Sequence, residues 1–358
     1  MSGASHRERD GARGWFPAPW GYVLNRAAAP LVPFALARKI TPSWGDFAYA
    51  TWKRPREAAL RNYARVLGRT VDDPLVERAA RECFRHFALY IVEMLLVQGW
   101  DTRTVLERLE VEGDEHFEEA AALGRGVIFV SAHMGSAEVA AAAAVMRGYK
   151  ITSVTERLRP QFVMDWAVAC RASMGIRLLS LERAGISLLR ALRRKEIVAF
   201  VIDAGVERGG GVPMTFFGRE TMFPDGPARL ARLSGAPIVF AVAARLPGGR
   251  FRAHIEPPVC SDRSLSPEED AYCLTQRLAS AFEGYVRRYT GQWYAFREMW
   301  LDDSTYLARR SARLNERRCA QDLRERLAAT RPGSLFARED LTLDEVRRAT
   351  AGLRLRSL

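Results

Sequence analysis

The chain has no Cys-x-x-Cys pair, and its five cysteines, Cys83, Cys170, Cys260, Cys273 and Cys319, are odd in number and widely spaced. That excludes a disulfide framework and a structural zinc site, and the thiols read as core side chains of a cytosol-facing protein. It also lacks His-Glu-x-x-His, a Walker phosphate loop and Gly-x-Gly-x-x-Gly, which removes the usual signatures of zinc proteases, nucleotide hydrolases and dinucleotide enzymes. A serine-nucleophile elbow is absent too, because Arg171-Ala-Ser-Met-Gly175 carries arginine where the first glycine is required. No run of about 18 uninterrupted apolar residues occurs, so a membrane-spanning helix is not expected. The best stretch, Trp15 to Ala37, is broken by four prolines and Arg26. The charged start lacks a small-residue cleavage pattern, so no secretory signal is expected. We find no internal repeat.

Acidic charge is in deficit. Lys and Arg number 54 against 42 Asp and Glu, for a net charge of +12 and a pI near 9.9. Residues 1–70 hold 12 basic and 4 acidic side chains, so that stretch alone carries +8. A basic face attracts the phosphates of nucleic acid, of anionic lipid or of a small ligand, or is simply a solvated arginine-rich surface. The nucleic-acid reading requires a helix-turn-helix, a zinc finger or an aromatic RNA platform. None is present, so nucleic acid is not an expected partner. The N-terminal cations instead adjoin aromatic residues, Trp15, Phe16, Trp20 and Tyr22, with Arg38 and Lys39 following. Rings beside cations suit a membrane interface; the alternative is an N-terminal helical hairpin packed on the core.

At 358 residues, 48% hydrophobic and 27% charged, the composition is globular. Residues 1–13 are polar and expected to be disordered. Helices are expected over 55–66, 73–97 and 114–122. In the second, Phe84, Phe87, Ala88, Ile91 and Leu95 recur at helical spacing. From Gly124 the texture alternates. Strands are expected at Gly126–Ser131, Lys150–Thr155, Ile197–Ile202, Pro213–Phe217, Pro237–Ala243 and Phe251–Ile255. Helices are expected at Ser136–Met146, Pro160–Met174, Ile186–Arg194 and Gly226–Leu233. Further helices are expected over 265–290 and 303–329, with a charged tail beyond. Strands separated by helices imply an α/β fold, a central sheet flanked by helices.

The segment richest in chemistry is Ser131-Ala132-His133-Met134-Gly135-Ser136-Ala137-Glu138. His133 stands just past the end of a buried strand, where open α/β sheets place their sites. Glu138 follows five positions later, in the first turn of the next helix, where a carboxylate could reach the imidazole and fix its tautomer. Histidine suits proton transfer near neutrality. The alternative is a strand-end His and a Glu favouring the helix dipole.

A His, four residues, then an acid after a buried strand resembles the motif of the lysophospholipid acyltransferase superfamily. Further segments follow in the order of one branch of it. They are Met134-Gly135, Glu156-Arg157, Arg171, Asp203, Phe216-Phe217-Gly218, Thr221, Gly226-Pro227-Ala228, Leu230 to Pro237, Trp293-Tyr294 and Trp300. The branch is that of the bacterial lipid A biosynthesis acyltransferases and the phosphatidylinositol mannoside acyltransferases, and the likeness covers about residues 50–305. Two departures lie near the acceptor: Ser136-Ala137 stand where the branch often has Asn-Trp, and Gly205 stands where it often has a second acid.

The resemblance implies a mixed sheet within an acyltransferase domain over 14–305. Residues 14–122 would be helical and membrane-associated at their start, 123–260 the α/β catalytic core, and 306–358 a charged helical tail. It implies a peripheral enzyme at the cytoplasmic face of the cell membrane, meeting an anionic lipid surface. That enzyme would move a fatty acyl chain from acyl-CoA to a hydroxyl of a glycolipid or phospholipid, such as a phosphatidylinositol mannoside. The alternative is a lipid A-type enzyme fed by acyl carrier protein. No metal or cofactor is expected beyond the donor itself. His133 is expected as the base and Glu138 as its orienter. Asp203 could serve as a second orienter, an acceptor contact or a loop cap. Arg157 and Arg171 could fork a phosphate, with Glu156 beside them. Phe217 and Gly218 could line a groove or pack the core.

Overall fold

The computed structural model describes residues 33–155, 161–180, 184–204 and 211–300. The expectations for residues 1–13, 15–32, 303–329 and the charged tail lie outside those residues. The described chain opens with α1 (Phe34–Thr51), α2 (Lys53–Leu67), α3 (Pro74–Leu96), α4 (Thr102–Arg108), β1 (Leu109–Glu112) and α5 (Asp114–Ala122). It continues through β2 (Val127–Ser131), α6 (Ala137–Met146), β3 (Ile151–Thr155), α7 (Gln161–Ser173), β4 (Ile176–Ser180), α8 (Gly185–Arg193) and β5 (Ile197–Val201). It ends with the hairpin β6 (Val212–Phe216) and β7 (Arg219–Phe223), then α9 (Gly226–Ser234), β8 (Ile238–Leu246), β9 (Arg250–Ile255) and α10 (Pro267–Arg288).

Seven strands form one mixed sheet in the order β1-β9-β8-β2-β5-β3-β4. β2 is parallel to β5 on one side and β8 on the other. β9 is antiparallel to β8, and β1 is parallel to β9, so β1 and β9 run against the rest. β2 sits mid-sheet with both faces covered, which explains its unbroken apolar run. Its side chains still alternate. Ile128 and Val130 enter one core with α2, α3, α8, α9 and α10, while Val127 enters the other with α5 and α6. Burying each such side chain stabilises the fold by about 1.5–3 kcal/mol.

Three strands were not apparent from hydropathy. β1 and β4 are the outer strands of the sheet; edge strands are short and need no continuous apolar run. β7, Arg-Glu-Thr-Met-Phe, pairs among the described residues only with β6, through a two-residue turn. The outer strand β6 is covered by α10: Gln276 exchanges side-chain hydrogen bonds with the backbone of Thr215 at 3.0 Å each way.

α1 packs against α3 at a close crossing. A Cβ on Gly45 would meet Arg85 Cα at 2.5 Å, so only glycine fits there. Arg85 then clasps Asp46 with two hydrogen bonds of 2.8 and 2.9 Å. No helix among the described residues is long and apolar enough to cross a membrane.

Candidate active site

The register of β2 on β5 sets the site. Ser131 pairs with Val201, and Ile202 N–H donates to Ser131 O at 2.8 Å. Two residues further along each strand, His133 therefore stands beside Asp203. His133 N–H donates to both Asp203 oxygens, at 3.0 and 3.1 Å. His133 Nδ1 lies 3.0 Å from Asp203 Oδ1. An ionised carboxylate only accepts, so Nδ1 carries the hydrogen and Nε2 is left as the basic nitrogen. Trp293 Nε1–H donates to Asp203 Oδ2 at 3.1 Å.

The Asp203 side chain is 4% exposed and that of His133 49%. Burial alone would push the Asp203 carboxyl up. The adjacent His133 charge and the hydrogen bonds from His133 and Trp293 outweigh it, and the carboxyl is held below the usual carboxylate range. A buried, ionised orienter thus stands behind an imidazole whose outer edge is open, the arrangement that lets a histidine take a proton from a hydroxyl.

The turn after His133 is fixed from the other side. Gly135 has φ +58°, and a Cβ there would strike Ala243 O at 1.9 Å. Ser136 N–H donates to Ala243 O at 2.7 Å, Gly135 N–H to Gln292 O at 3.0 Å, and Tyr294 N–H to His133 O at 2.7 Å. The Tyr294 hydroxyl donates to Gly135 O. It accepts from Arg245 Nη1 at 2.8 Å, and Arg245 is locked on Glu93 at 2.6 Å. That pair is buried, at 7% and 2% exposed. Removing either charge should cost about 3–5 kcal/mol by stranding the other.

His86, on α3, is packed near this pair. Burial first, and Arg245 second, push its pKa down from 6.5 to about 3. Between those values the unfolded chain binds a proton that the folded chain does not, so this contribution is complete above pH 6.5 and falls as pH drops. The slope should approach about 1.4 kcal/mol per pH unit. His86→Leu should therefore lose less stability than the wild type between pH 7 and pH 5, measured by urea unfolding at each pH. An equal loss in both proteins would refute this assignment.

Glu138 does not take the place expected of it beside His133. Its carboxylate accepts from the Arg171 guanidinium at 2.7 Å and from the Tyr90 hydroxyl at 2.9 Å. The first turn of α6 brings it to Tyr90 on α3 and Arg171 on α7, and Asp203 holds the imidazole instead. Arg171 is correspondingly in an ion pair, its side chain 21% exposed. The fork expected for a phosphate is at least partly occupied by Glu138.

Phe217 ends no strand. Phe217-Gly218 is the two-residue turn between β6 and β7, with φ of 48° and 71°, the positive values a type I′ hairpin requires. Phe217 is 8% exposed, and its ring packs on Phe216 at 4.8 Å, with Arg287 over it at 4.6 Å. Its N–H donates to Glu283 at 2.6 Å. Of the two alternatives for this residue, the structure shows the core one. Glu156 and Arg157 lie outside the described residues.

A family model of bacterial lipid A biosynthesis acyltransferases matches residues 12–302. The chain belongs to that family. Phosphatidylinositol mannoside acyltransferases of Mycolicibacterium smegmatis and Mycobacterium tuberculosis H37Rv are each 28% identical to it. The matches cover 79% of this chain and 91% and 89% of theirs. The lipid A biosynthesis lauroyltransferase of Escherichia coli K12 is 26% identical over 50% of this chain and 58% of its own. The protein is thus an acyltransferase of lipid biosynthesis. In this member of the lipid A acyltransferase family, sequence reasoning missed Tyr90 and gave no role to Trp293 or Tyr294. An aromatic pair in Gly-Gln-Trp-Tyr-Ala-Phe reads as core packing, and only the fold brings its polar atoms to the histidine loop.

Proposed function

We propose that the protein is a membrane-associated O-acyltransferase with His133 as general base. It moves a fatty acyl chain from acyl-CoA to a hydroxyl of a glycolipid or phospholipid such as a phosphatidylinositol mannoside, at the cytoplasmic face of the cell membrane. The observation that carries this reading is the His133–Asp203 pair, a half-exposed imidazole on a buried carboxylate. Nε2 takes the acceptor hydroxyl's proton as its oxygen attacks the thioester carbonyl. The new C–O bond forms, the C–S bond breaks, and the proton passes to the departing thiolate. No metal or further cofactor enters this chemistry. The mannoside acceptor is favoured because the mannoside relatives match most of their own length, whereas the lauroyltransferase matches 58% of its own.

The test pairs palmitoyl-CoA or palmitoyl-acyl carrier protein with a phosphatidylinositol mannoside or a lipid A precursor, and reads the product mass. Acylated mannolipid formed from the CoA donor is expected. Acylated lipid A precursor formed from the carrier protein alone would replace this reading with the lipid A one.

Membrane attachment is supported by α1. Leu36, Ile40, Trp44 and Phe47 recur at helical spacing and are 49%, 47%, 55% and 71% exposed, on a helix whose other side packs on α3. Arg38 and Lys39 lie on the same helix, and Lys53, Arg54 and Arg56 follow on α2. Apolar insertion with cations beside it fits an anionic bilayer surface. Trp44→Ser with Phe47→Ser should weaken co-sedimentation with phosphatidylglycerol-containing vesicles by about 10-fold or more. Binding of wild type should weaken as salt rises. Unchanged co-sedimentation of the double variant would rule this face out.

A further inference from the structure

We propose that Trp293 is a positioning residue for acyl transfer: its indole N–H fixes the Asp203 carboxylate so that Oδ1 stays on His133 Nδ1. This inference rests on the His133–Asp203 reading above.

Asp203 accepts from two directions. Oδ1 receives His133 Nδ1–H and His133 N–H, both at 3.0 Å. Oδ2 receives Trp293 Nε1–H and a share of the same backbone N–H, both at 3.1 Å. Without the indole donor, Oδ2 would keep, among the described residues, only the shared N–H, and little among them would oppose rotation of the carboxylate about its Cβ–Cγ bond. A buried carboxylate oxygen also needs donors if it is to stay ionised.

The indole is held from several sides. Its residue is 2% exposed. Phe216, Phe282, Tyr63 and Trp300 meet it edge-on, at centroid distances of 6.1, 5.7, 6.1 and 6.5 Å. The Tyr63 hydroxyl donates to Trp293 O at 2.5 Å. Met134, the residue after the histidine, forms a backbone bridge with Trp293. The donor to Asp203 and the histidine loop are therefore carried by one rigid unit. A tryptophan that only filled space would need its N–H satisfied, but not by the carboxylate that orients the base.

The electrostatic consequence has a definite sign. The indole N–H draws charge density from Asp203. Without it the carboxylate holds the imidazolium proton more tightly, and the base becomes available only at higher pH.

The test replaces Trp293 with 3-benzothienylalanine by site-specific incorporation. This keeps the ring shape and exchanges N–H for sulfur. 5-Fluorotryptophan at the same position keeps the donor and serves as the rescue variant. Turnover of palmitoyl-CoA onto a phosphatidylinositol mannoside is read as released CoA across pH, beside His133→Ala and Asp203→Asn. With benzothienylalanine, kcat should fall about 10-fold, the size expected for losing a hydrogen bond to a charged group. KM should hold, and the acidic limb of the profile should move up by roughly 0.5–1 pH unit. 5-Fluorotryptophan should restore both. If benzothienylalanine leaves kcat and the acidic limb unchanged while Asp203→Asn loses turnover, Trp293 only packs the core and the proposal is overturned. If His133→Ala keeps its turnover, the base assignment fails, and the role of Trp293 fails with it.

Discussion

His133→Ala is expected to lower acyl transfer by roughly 100- to 10,000-fold while leaving the protein folded. The loss follows from the chemistry. A neutral hydroxyl is a poor nucleophile toward a thioester, and its proton must leave as the C–O bond forms. Persistence of the fold follows from how the residue is held. Its loop is pinned by backbone groups, His133 N–H on Asp203 and His133 O under Tyr294 N–H, and alanine keeps both. The imidazole is half exposed, so truncation opens no internal cavity. Thermal unfolding should stay within a few degrees of wild type. A purified variant with near-normal turnover would eliminate His133 as the base.

Much of this architecture is legible in the sequence because the central strands cannot hide. β2, β5 and β8 are covered on both faces and read as apolar runs, and the strand end before His133 marks the site. The partner of His133 is not legible. A carboxylate five residues away looks nearer than one 70 residues away, but parallel pairing of β2 with β5 puts Asp203 alongside, and strand register is not written in either segment alone. The direction of the α6 first turn is likewise set by Gly135 against β8. The indole of Trp293 shows only aromatic character in the sequence, and its polar role depends on where Asp203 falls. The edge strands β1 and β4 escaped notice because edges need little hydrophobicity.

The second large effect separates the two carboxylates. Asp203→Asn should lower kcat by about 100- to 10,000-fold with little change in KM. The amide has one accepting end, whereas Asp203 faces donors on every side: His133 N–H, His133 Nδ1–H and Trp293 Nε1–H. If the amide oxygen serves the indole and the backbone, its NH2 faces Nδ1, and the ring proton moves to Nε2, where the base should be empty. If it turns over, NH2 meets the indole N–H in a buried site, two donors with no acceptor between them. KM holds because the lost interaction strengthens mainly as His133 becomes charged. Glu138→Gln should do something different. It leaves the mostly buried Arg171 facing a neutral partner, which should cost about 3 kcal/mol of stability, the lower end for a broken buried pair because Arg171 keeps some solvent. Its turnover at saturating donor should stay within about 10-fold of wild type, since its hydrogen bonds go to Arg171 and Tyr90 rather than to the imidazole. Measuring kcat, KM and urea unfolding on both variants decides between them. If Asp203→Asn keeps most of its turnover while Glu138→Gln loses it at unchanged stability, the orienting carboxylate is Glu138.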